Sequence, residues 1–333
     1  MRLKRKISAG LRWLGSRKDA RGAALLYHRI DNSELDPFGL CVSPENFENH
    51  VASLTSEGDV LSLHEFMKRS EEGTLERGST CLTFDDGYLD VFENALPILE
   101  KYEVPATVFV TTGNLGKPFW WDQLAALVFG SEGTPETLLL EAAQYSPIHV
   151  GHLSASELYD LLYPVLRSAS PERRDAIFEI LAPQLNGIAL DSKQRAATAE
   201  ELSRASSHPL LTLGAHTVTH SRLSSLGFYE QMLEISSSVK TLEEIVGARV
   251  DTLAYPFGLA GRDYNDHTLR AAGELGIQYA FSANLGAVSA STDRLEIPRL
   301  WVHDRAAQSV RNSVRFWTGG TSTAAPRTPA SVQ

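Results

Sequence analysis

The sequence predicts an α/β protein whose strands are mainly parallel, arranged as a wound sheet or as a barrel. From Gly22 onward, short apolar runs rich in β-branched residues alternate with helical patterns. This alternation is typical of parallel strands, because a crossover helix must return the chain to the same edge of the sheet. The chain has 333 residues, of which 43% are hydrophobic and 22% charged, as in globular proteins with a large core. No apolar run reaches the roughly 20 residues of a membrane-spanning helix.

Eight short apolar segments have the length and composition of buried strands. They lie at residues 23–27, 60–63, 80–84, 106–110, 210–214, 252–255, 277–281 and 297–302. Ser43 followed by Pro44 predicts a helix start, because serine caps free backbone N–H groups and proline fits the first turn. Residues 90–102 are amphipathic, and the helical pattern at 228–246 ends at Gly247, a typical residue after a helix.

One long region departs from the alternation. Residues 117–205 contain helical patterns at 155–166 and 171–185 but no clear strand. We therefore predict a helical insertion within a main domain of residues 22–305. Such insertions at strand ends commonly shape a substrate site. Residues 319–333 are rich in Thr, Ala, Ser and Pro without an apolar period, and we expect them to be disordered.

The N-terminal segment, residues 1–21, has a charge opposite to that of the rest. It carries eight Lys or Arg and one Asp, whereas the whole chain has a net charge of −10. Its apolar residues are dispersed at helical spacing, so we do not expect a signal peptide, and we expect a cytoplasmic protein. Two interpretations remain: a basic amphipathic helix on the inner membrane surface, or a solvated tail, which is the more common case.

Charge and cysteine content argue against two classes of protein. The negative net charge argues against a nucleic-acid partner. Cys41 and Cys81 are far apart and lack the CxxC spacing, so neither a disulfide framework nor a cysteine zinc site is expected. We predict that both are small buried core residues.

The strongest functional signal is a pair of carboxylates at the end of a predicted strand. Residues 83–87 read Thr-Phe-Asp-Asp-Gly. Neighbouring side chains of a strand point to opposite faces, so Asp85 and Asp86 can serve one site only if the chain turns there. Gly87 permits such a turn. The alternative is an ordinary surface turn, in which Asp-Asp-Gly is also common.

The second signal is His216 and His220, just after another predicted strand. In a helical turn, residues four apart share a face, so both imidazoles could reach one cation. Such a pair also occurs by chance on protein surfaces. Combined with one Asp, however, two His make a three-ligand site that leaves a position open for water, as a catalytic metal requires.

With these two motifs, the chain resembles the polysaccharide deacetylase family, also called the NodB homology or carbohydrate esterase 4 family. Residues 83–87 match its T-F-D-D-G motif and residues 216–220 its H-[ST]-x-x-H motif. Residues 255–258, Tyr-Pro-Phe-Gly, correspond to its third motif, R-x-P-[YF]. The resemblance spans residues 23–304 without the insertion. It implies an irregular (β/α) barrel of about seven parallel strands.

The chain departs from the family pattern at an arginine. The arginine of the third motif orients the catalytic aspartate in the family, but Ala254 stands at its position here. Arg299, in the last predicted strand, is our candidate for its replacement.

A second departure concerns the family's closing L-x-H motif, which supplies a catalytic histidine. Residues 300–303 end in His303 but are one residue too long, whereas Leu-Tyr-His at residues 26–28 fits. In a closed barrel the first and last strands are neighbours, so the histidine can come from either end. We prefer His28 to His303, because the arrangement resembles the circularly permuted branch that includes poly-N-acetylglucosamine deacetylases.

The resemblance implies a metal-dependent hydrolase that removes the N-acetyl group of an amino sugar in a polysaccharide, an oligosaccharide or a lipid-linked saccharide. Zn²⁺ is the default metal for a His/His/Asp site, with Co²⁺, Ni²⁺ or Fe²⁺ as alternatives. Two other functions stay open: hydrolysis of a non-sugar or cyclic amide, and carbohydrate binding by a decayed site. The implied roles are metal ligands for Asp86, His216 and His220, general base for Asp85, general acid for His28, oxyanion contact for the Phe257 N–H, and substrate contacts for Tyr255 and Pro256.

Overall fold

The computed structural model describes residues 21–140 and 148–319. Apart from Arg21 and Gly319, the predicted N-terminal segment 1–21 and C-terminal tail 319–333 lie outside the described residues. Within the described part, no helix is both long enough and apolar enough to cross a membrane.

The strands, in chain order, are β1 (Gly22–Tyr27), β2 (Arg29–Ile30), β3 (Cys41–Val42), β4 (Ser79–Phe84), β5 (Ala106–Val110), β6 (Thr137–Leu138), β7 (Ile148–His149), β8 (Leu211–Ala215), β9 (Thr252–Ala254), β10 (Tyr279–Leu285) and β11 (Ile297–Trp301). The α-helices are α1 (Pro44–Thr55), α2 (Leu63–Glu71), α3 (Leu96–Tyr102), α4 (Trp120–Phe129), α5 (Ala155–Ser168), α6 (Pro171–Leu185), α7 (Ala199–Ser206), α8 (Phe228–Val246), α9 (Asp266–Glu274) and α10 (Ala307–Trp317). A π-helical turn, Val91–Ala95, precedes α3, and two 3₁₀ turns span Thr112–Asn114 and Leu223–Ser225.

Seven strands form a closed barrel in the order β1-β11-β10-β9-β8-β5-β4, with β4 pairing back to β1. All of these pairings are parallel. The predicted fold class is therefore confirmed. The first and last strands are neighbours, with Leu26 opposite Trp301, so residues from both ends of the sequence reach one end of the barrel.

One of the eight predicted strands is wrong. At residues 60–63, Val60 makes only an isolated bridge to Thr80, and Leu63 begins α2. The side chain of Ser62 accepts a hydrogen bond from the backbone N–H of Glu65. Capping of this helix therefore outweighs the β-propensity of the short apolar run.

The barrel strands are buried on both faces. Alternate residues of the strands form one core cluster inside the barrel, which includes Ala24, Cys81, Phe109 and Phe281. Helix α2 packs against this cluster through Phe66. The residues between them belong to a second cluster that packs against the surrounding helices. Cys41 and Cys81 are both buried and not disulfide-bonded, as predicted.

Between β5 and β8, the described residues (111–140 and 148–210) form four α-helices, α4 to α7, and a short antiparallel pair of β6 and β7. The prediction that this region contains no clear strand is therefore wrong at β6 and β7. The last of these helices, α7, packs against β8 and α8 as a barrel helix does. The helices added to the barrel are thus α4 to α6.

The folded domain also extends beyond the predicted limit at residue 305. Helix α10 packs against α1 and β1, and its Val310, Val314 and Trp317 are buried. Their spacing places them on one face of the helix. The sequence contains this amphipathic pattern, so the helix could be predicted from it.

Candidate active site

The candidate site lies where the carboxyl ends of the barrel strands meet. Asp85 follows β4, His216 follows β8, and His28 follows β1. These side chains line one cavity of about 730 Å³, together with Asp86 and His220. Catalytic groups commonly gather at this end of a parallel barrel, because the loops there belong to different strands.

Asp86, His216 and His220 form a buried group that could hold a metal ion, with ligand atoms all within 4.8 Å of one another. The Oδ1 atom of Asp86 lies 3.5 Å from Nε2 of His216 and 3.4 Å from Nε2 of His220. This oxygen is buried and has no hydrogen-bond partner. A buried carboxylate oxygen without a donor, facing two imidazole nitrogens, is the arrangement expected around a cation.

The orientation of His216 leaves its Nε2 available as a ligand. Its Nδ1 lies 2.8 Å from the carbonyl oxygen of Ala254. Because a carbonyl only accepts, Nδ1 carries the proton and Nε2 keeps its lone pair. The position at which the family has its arginine thus supplies a backbone oxygen here.

The backbone at the two motifs is unusual. Asp86 has a φ of 73° and Gly87 a φ of 84°, so the turn that brings the two carboxylates together begins at Asp86 itself. Thr217 and His220 also have positive φ values, 65° and 54°. Non-glycine residues rarely adopt this region, and where they do the surrounding structure must hold them.

The prediction of a helical turn at residues 216–220 is wrong, since these residues form an irregular loop. Glu234 of α8 holds this loop: its carboxylate accepts the backbone N–H groups of Val218 and Thr219 at 3.0 and 2.9 Å. It also accepts the Thr219 hydroxyl at 2.7 Å. Sequence reasoning missed Glu234, because nothing near it in the sequence marks a contact with the histidine loop.

Asp85 makes a bidentate ion pair with Arg299, the candidate replacement for the family's arginine. Both carboxylate oxygens accept guanidinium N–H groups at 2.7 Å. Arg299 is fully buried and also donates to the carbonyl of Ser282 and the hydroxyl of Thr83. Burial alone would raise the pKa of the Asp85 carboxyl. The positive charges of Arg299 and then of His216 lower it by more than this, so that the pKa falls to about 2. Asp85 is therefore ionised at neutral pH and fixed in position.

The structure brings His28 to the site and leaves His303 outside it. His28 lines the cavity, with its ring centroid 5.9 Å from that of Trp301. Burial lowers the pKa of the His28 imidazole, whereas the carboxylates of Asp86 and Asp85 oppose this. The Nδ1 of His303 donates to the carbonyl of Gly39 at 3.1 Å, and this side chain lies beside a separate small cavity.

The third motif contributes unevenly to the cavity. Phe257 lines it, with a φ of 59° and its ring centroid 4.7 Å from that of His220. Tyr255 also lines it, but its hydroxyl donates to the carbonyl of Leu295 at 2.9 Å and so is already engaged. Pro256 lies in the following turn, where its carbonyl accepts the N–H of Gly258 at 2.7 Å, and does not line the cavity.

Aromatic side chains from α4 and α5 form another wall of the cavity. Trp121 is buried, yet its ring centroid lies 4.8 Å from that of His220, and its indole N–H donates to the Tyr88 hydroxyl at 2.7 Å. Tyr159 and Tyr163 extend this wall from α5. Trp121 therefore serves both the core and the cavity, whereas the two tyrosines were not among the predicted site residues.

Comparisons with known proteins identify a family and several relatives. A family model described as Polysaccharide deacetylase matches residues 72–151 and 186–280. The poly-beta-1,6-N-acetyl-D-glucosamine N-deacetylase of Staphylococcus aureus is 24% identical over 315 residues, covering 91% of this chain and 84% of that protein.

Two solved structures show the same fold. IcaB from Ammonifex degensii has a TM-score of 0.58 at 15% identity, covering 89% of this chain and 97% of that one. The deacetylase PplD from Streptococcus pyogenes, in complex with acetate, has a TM-score of 0.56 at 19% identity, covering 88% and 97%.

Proposed function

The chain belongs to the polysaccharide deacetylase family, and on this premise we propose that it is a metal-dependent enzyme that removes N-acetyl groups from an amino sugar of a glycan. One observation carries the proposal. The group of Asp86, His216 and His220, which could hold a metal ion, shares a cavity with Asp85, and Arg299 pairs with Asp85 from the core. A poly-N-acetylglucosamine is the substrate named for the S. aureus relative, and for the present chain we propose a polysaccharide, oligosaccharide or glycolipid that contains an N-acetylated amino sugar.

The ligand set fits a divalent ion, because two imidazole nitrogens and one carboxylate oxygen converge at the cavity, and a set of three protein ligands is typical of a catalytic metal site. Such an ion would supply a Lewis acid that polarises a carbonyl and lowers the pKa of water. We propose Zn²⁺ as the ion, with Co²⁺, Ni²⁺ or Fe²⁺ as alternatives that the same ligands accept.

The protein's own groups would divide the remaining chemistry. Asp85, held ionised by Arg299, accepts a proton from the attacking water as its oxygen bonds to the acetyl carbon. The backbone N–H of Phe257 would donate to the developing oxyanion. His28 would protonate the amine nitrogen as the carbon–nitrogen bond breaks, because an amide leaves poorly without a proton. The products are acetate and a free amino sugar.

The test of this function is acetate release from a panel of N-acetylated glycans, lipid-linked sugars and non-sugar amides, each with and without a chelator. We expect acetate from at least one N-acetylated glycan, and we expect the chelator to abolish the release. Release from non-sugar amides alone would support the rival amide hydrolase. Failure on all substrates with metal bound would support a decayed carbohydrate-binding site.

A prediction separates the two candidate acids, His28 and His303. His28→Ala should retain its metal but lose most amide hydrolysis, by about 10²–10⁴-fold. Hydrolysis of an activated acetate ester should suffer much less, because its leaving group needs little protonation. Acetate release from both substrates, measured with purified metal-loaded variants, tests this.

His303→Ala is the matched control, because His303 lies outside the cavity that contains His28. We expect it to resemble the wild type on both substrates. Damage to this variant beside a healthy His28→Ala would place the acid at the C-terminal strand instead. Equal loss of ester and amide hydrolysis in His28→Ala would indicate a structural role.

The cytoplasmic location and the membrane contact of residues 1–21 stay predictions, because nearly all of this segment lies outside the described residues.

A further inference from the structure

A cluster of three arginines lies at the cavity, on three different segments of the chain. Arg167 comes from α5, Arg222 follows the histidine loop, and Arg262 follows the third motif. All three line the same cavity as the candidate metal ligands. None of them has a part in the deacetylation chemistry proposed above, so the cluster needs its own explanation.

The arginines share one carboxylate, that of Asp263, which is fully buried. Arg167 donates to Asp263 at 2.9 Å, and the Nε of Arg262 donates to both of its oxygens at 3.1 Å. Arg222 is farther away, with its Nε at 3.8 Å from the carboxylate. Asp263 therefore holds Arg167 and Arg262 together by hydrogen bonds, and Arg222 lies close enough to feel the same carboxylate.

The charge of this cluster is opposite in sign to that of the chain as a whole. The net charge of the chain is −10, whereas three guanidinium groups gather at one side of this cavity, which Asp85, Asp86 and Asp160 also line. Clustered guanidinium groups favour an anion in their immediate neighbourhood. Burial lowers the pKa of the Arg167 guanidinium, and repulsion from Arg222 and Arg262 adds to this effect. An anion bound among the three would relieve the repulsion and gain charge-assisted hydrogen bonds.

The ring of Phe257 contacts both the arginine cluster and a residue of the candidate metal site. The guanidinium carbon of Arg167 lies 4.0 Å from the centroid of the Phe257 ring. The same ring also contacts His220, with 4.7 Å between their centroids. A group bound by the cluster would therefore belong to the reacting sugar or to its neighbour.

Arg167 belongs to a part of the chain that the family model does not match. The matched segments end at residue 151 and resume at residue 186. The unmatched stretch contains α5 and α6. The cluster therefore depends on an element added to the common barrel, as expected for a feature that sets specificity.

We propose that Arg167, Arg222 and Arg262 form a subsite for an anionic group, a phosphate or a carboxylate, carried by the saccharide next to the N-acetylated sugar. This inference rests on the proposed function, since it specifies the substrate of the same site. Guanidinium groups suit this role, because their planar donors match the oxygens of both kinds of anion.

The test uses four forms of one N-acetylglucosamine oligosaccharide that differ only at the reducing end. They are the methyl glycoside, the aldonate carboxylate, the 1-phosphate and a short-chain prenyl diphosphate. Affinity for the metal-loaded protein is measured by calorimetry, and kcat/KM by acetate release. We expect at least one anionic form to exceed the methyl glycoside by about tenfold or more in both measures, and the excess to fall with salt. The preferred form identifies the source of the anion.

Arg167→Gln and Arg222→Gln should each reduce this preference by about tenfold, the usual effect of losing one charge-assisted hydrogen bond. Arg222→Gln is the safer variant for folding, because Arg222 is not within hydrogen-bond distance of the buried Asp263. Arg204→Gln is the matched control: Arg204 is exposed on α7 and does not line the cavity. We expect this control to keep both the preference and the thermal stability of the wild type.

Two outcomes would overturn the subsite: no anionic preference in the wild type, or a preference that survives in both Arg167→Gln and Arg222→Gln. A failure of the proposed function looks different. In that case no form releases acetate, while the calorimetric preference for an anionic form is still measurable.

Discussion

Replacing Asp86 or His216 with alanine should remove the bound metal and, with it, essentially all acetate release. Each variant leaves two ligands in a site whose three ligand atoms lie within 4.8 Å of one another, and three protein ligands are the usual number at a catalytic zinc site. Metal content per chain, measured by plasma mass spectrometry after dialysis, and acetate release from an N-acetylated glycan test this directly.

His149→Ala is the matched control, because its side chain is 77% exposed and does not line the cavity. It should retain one metal ion per chain and full activity. Full metal occupancy and turnover in Asp86→Ala or His216→Ala would show that the ligand assignment is wrong. Loss of activity with metal retained would indicate instead that these residues act on the substrate.

Replacing Asp85 with asparagine should lower kcat by about 10²–10⁴ while the metal stays bound. Asparagine keeps the shape of the side chain but accepts a proton far more weakly than a carboxylate. Asp86→Asn is the companion variant, in which metal binding should be weakened. If Asp85→Asn loses metal while Asp86→Asn retains it, the two aspartates have exchanged roles.

The stability of Asp85→Asn needs its own control. This substitution leaves the fully buried Arg299 without its carboxylate, and breaking a buried ion pair typically destabilises a protein by about 3–5 kcal/mol. In the double variant Asp85→Asn with Arg299→Met, the unpaired charge is removed, so the melting temperature should recover. Activity should not recover. A double variant with both stability and activity would exclude Asp85 as the base.

Much of the fold could be predicted from local sequence. Seven of the eight predicted strands exist in the barrel, because apolar β-branched runs and helix caps act over a few residues. The helix Phe228–Val246 ends at Gly247, which has a φ of 68°, as its pattern indicated. The group of Asp86, His216 and His220 could also be predicted as a metal site, because these residues lie in two short motifs at strand ends.

Other features of the site depend on contacts between distant parts of the chain. Arg299 and Asp85 are 214 residues apart, and only the barrel order, in which β11 pairs with β1 and β1 with β4, brings them together. The same closure places His28 in the cavity and leaves His303 outside. Both histidines follow the paired residues Leu26 and Trp301 by two positions, so only the path of the chain beyond the strand ends distinguishes them.

The arginine cluster shows the limit of local reasoning most clearly. Arg167, Arg222 and Arg262 belong to three separated segments, and each alone has the sequence context of an ordinary surface arginine. They meet only because α5 folds over the cavity and Asp263 is buried among them. A local pattern specifies the conformation of a segment and the face on which a side chain lies. Strand order, register and the packing of added helices decide which of those side chains meet, because such contacts depend on segments that are far apart in the chain.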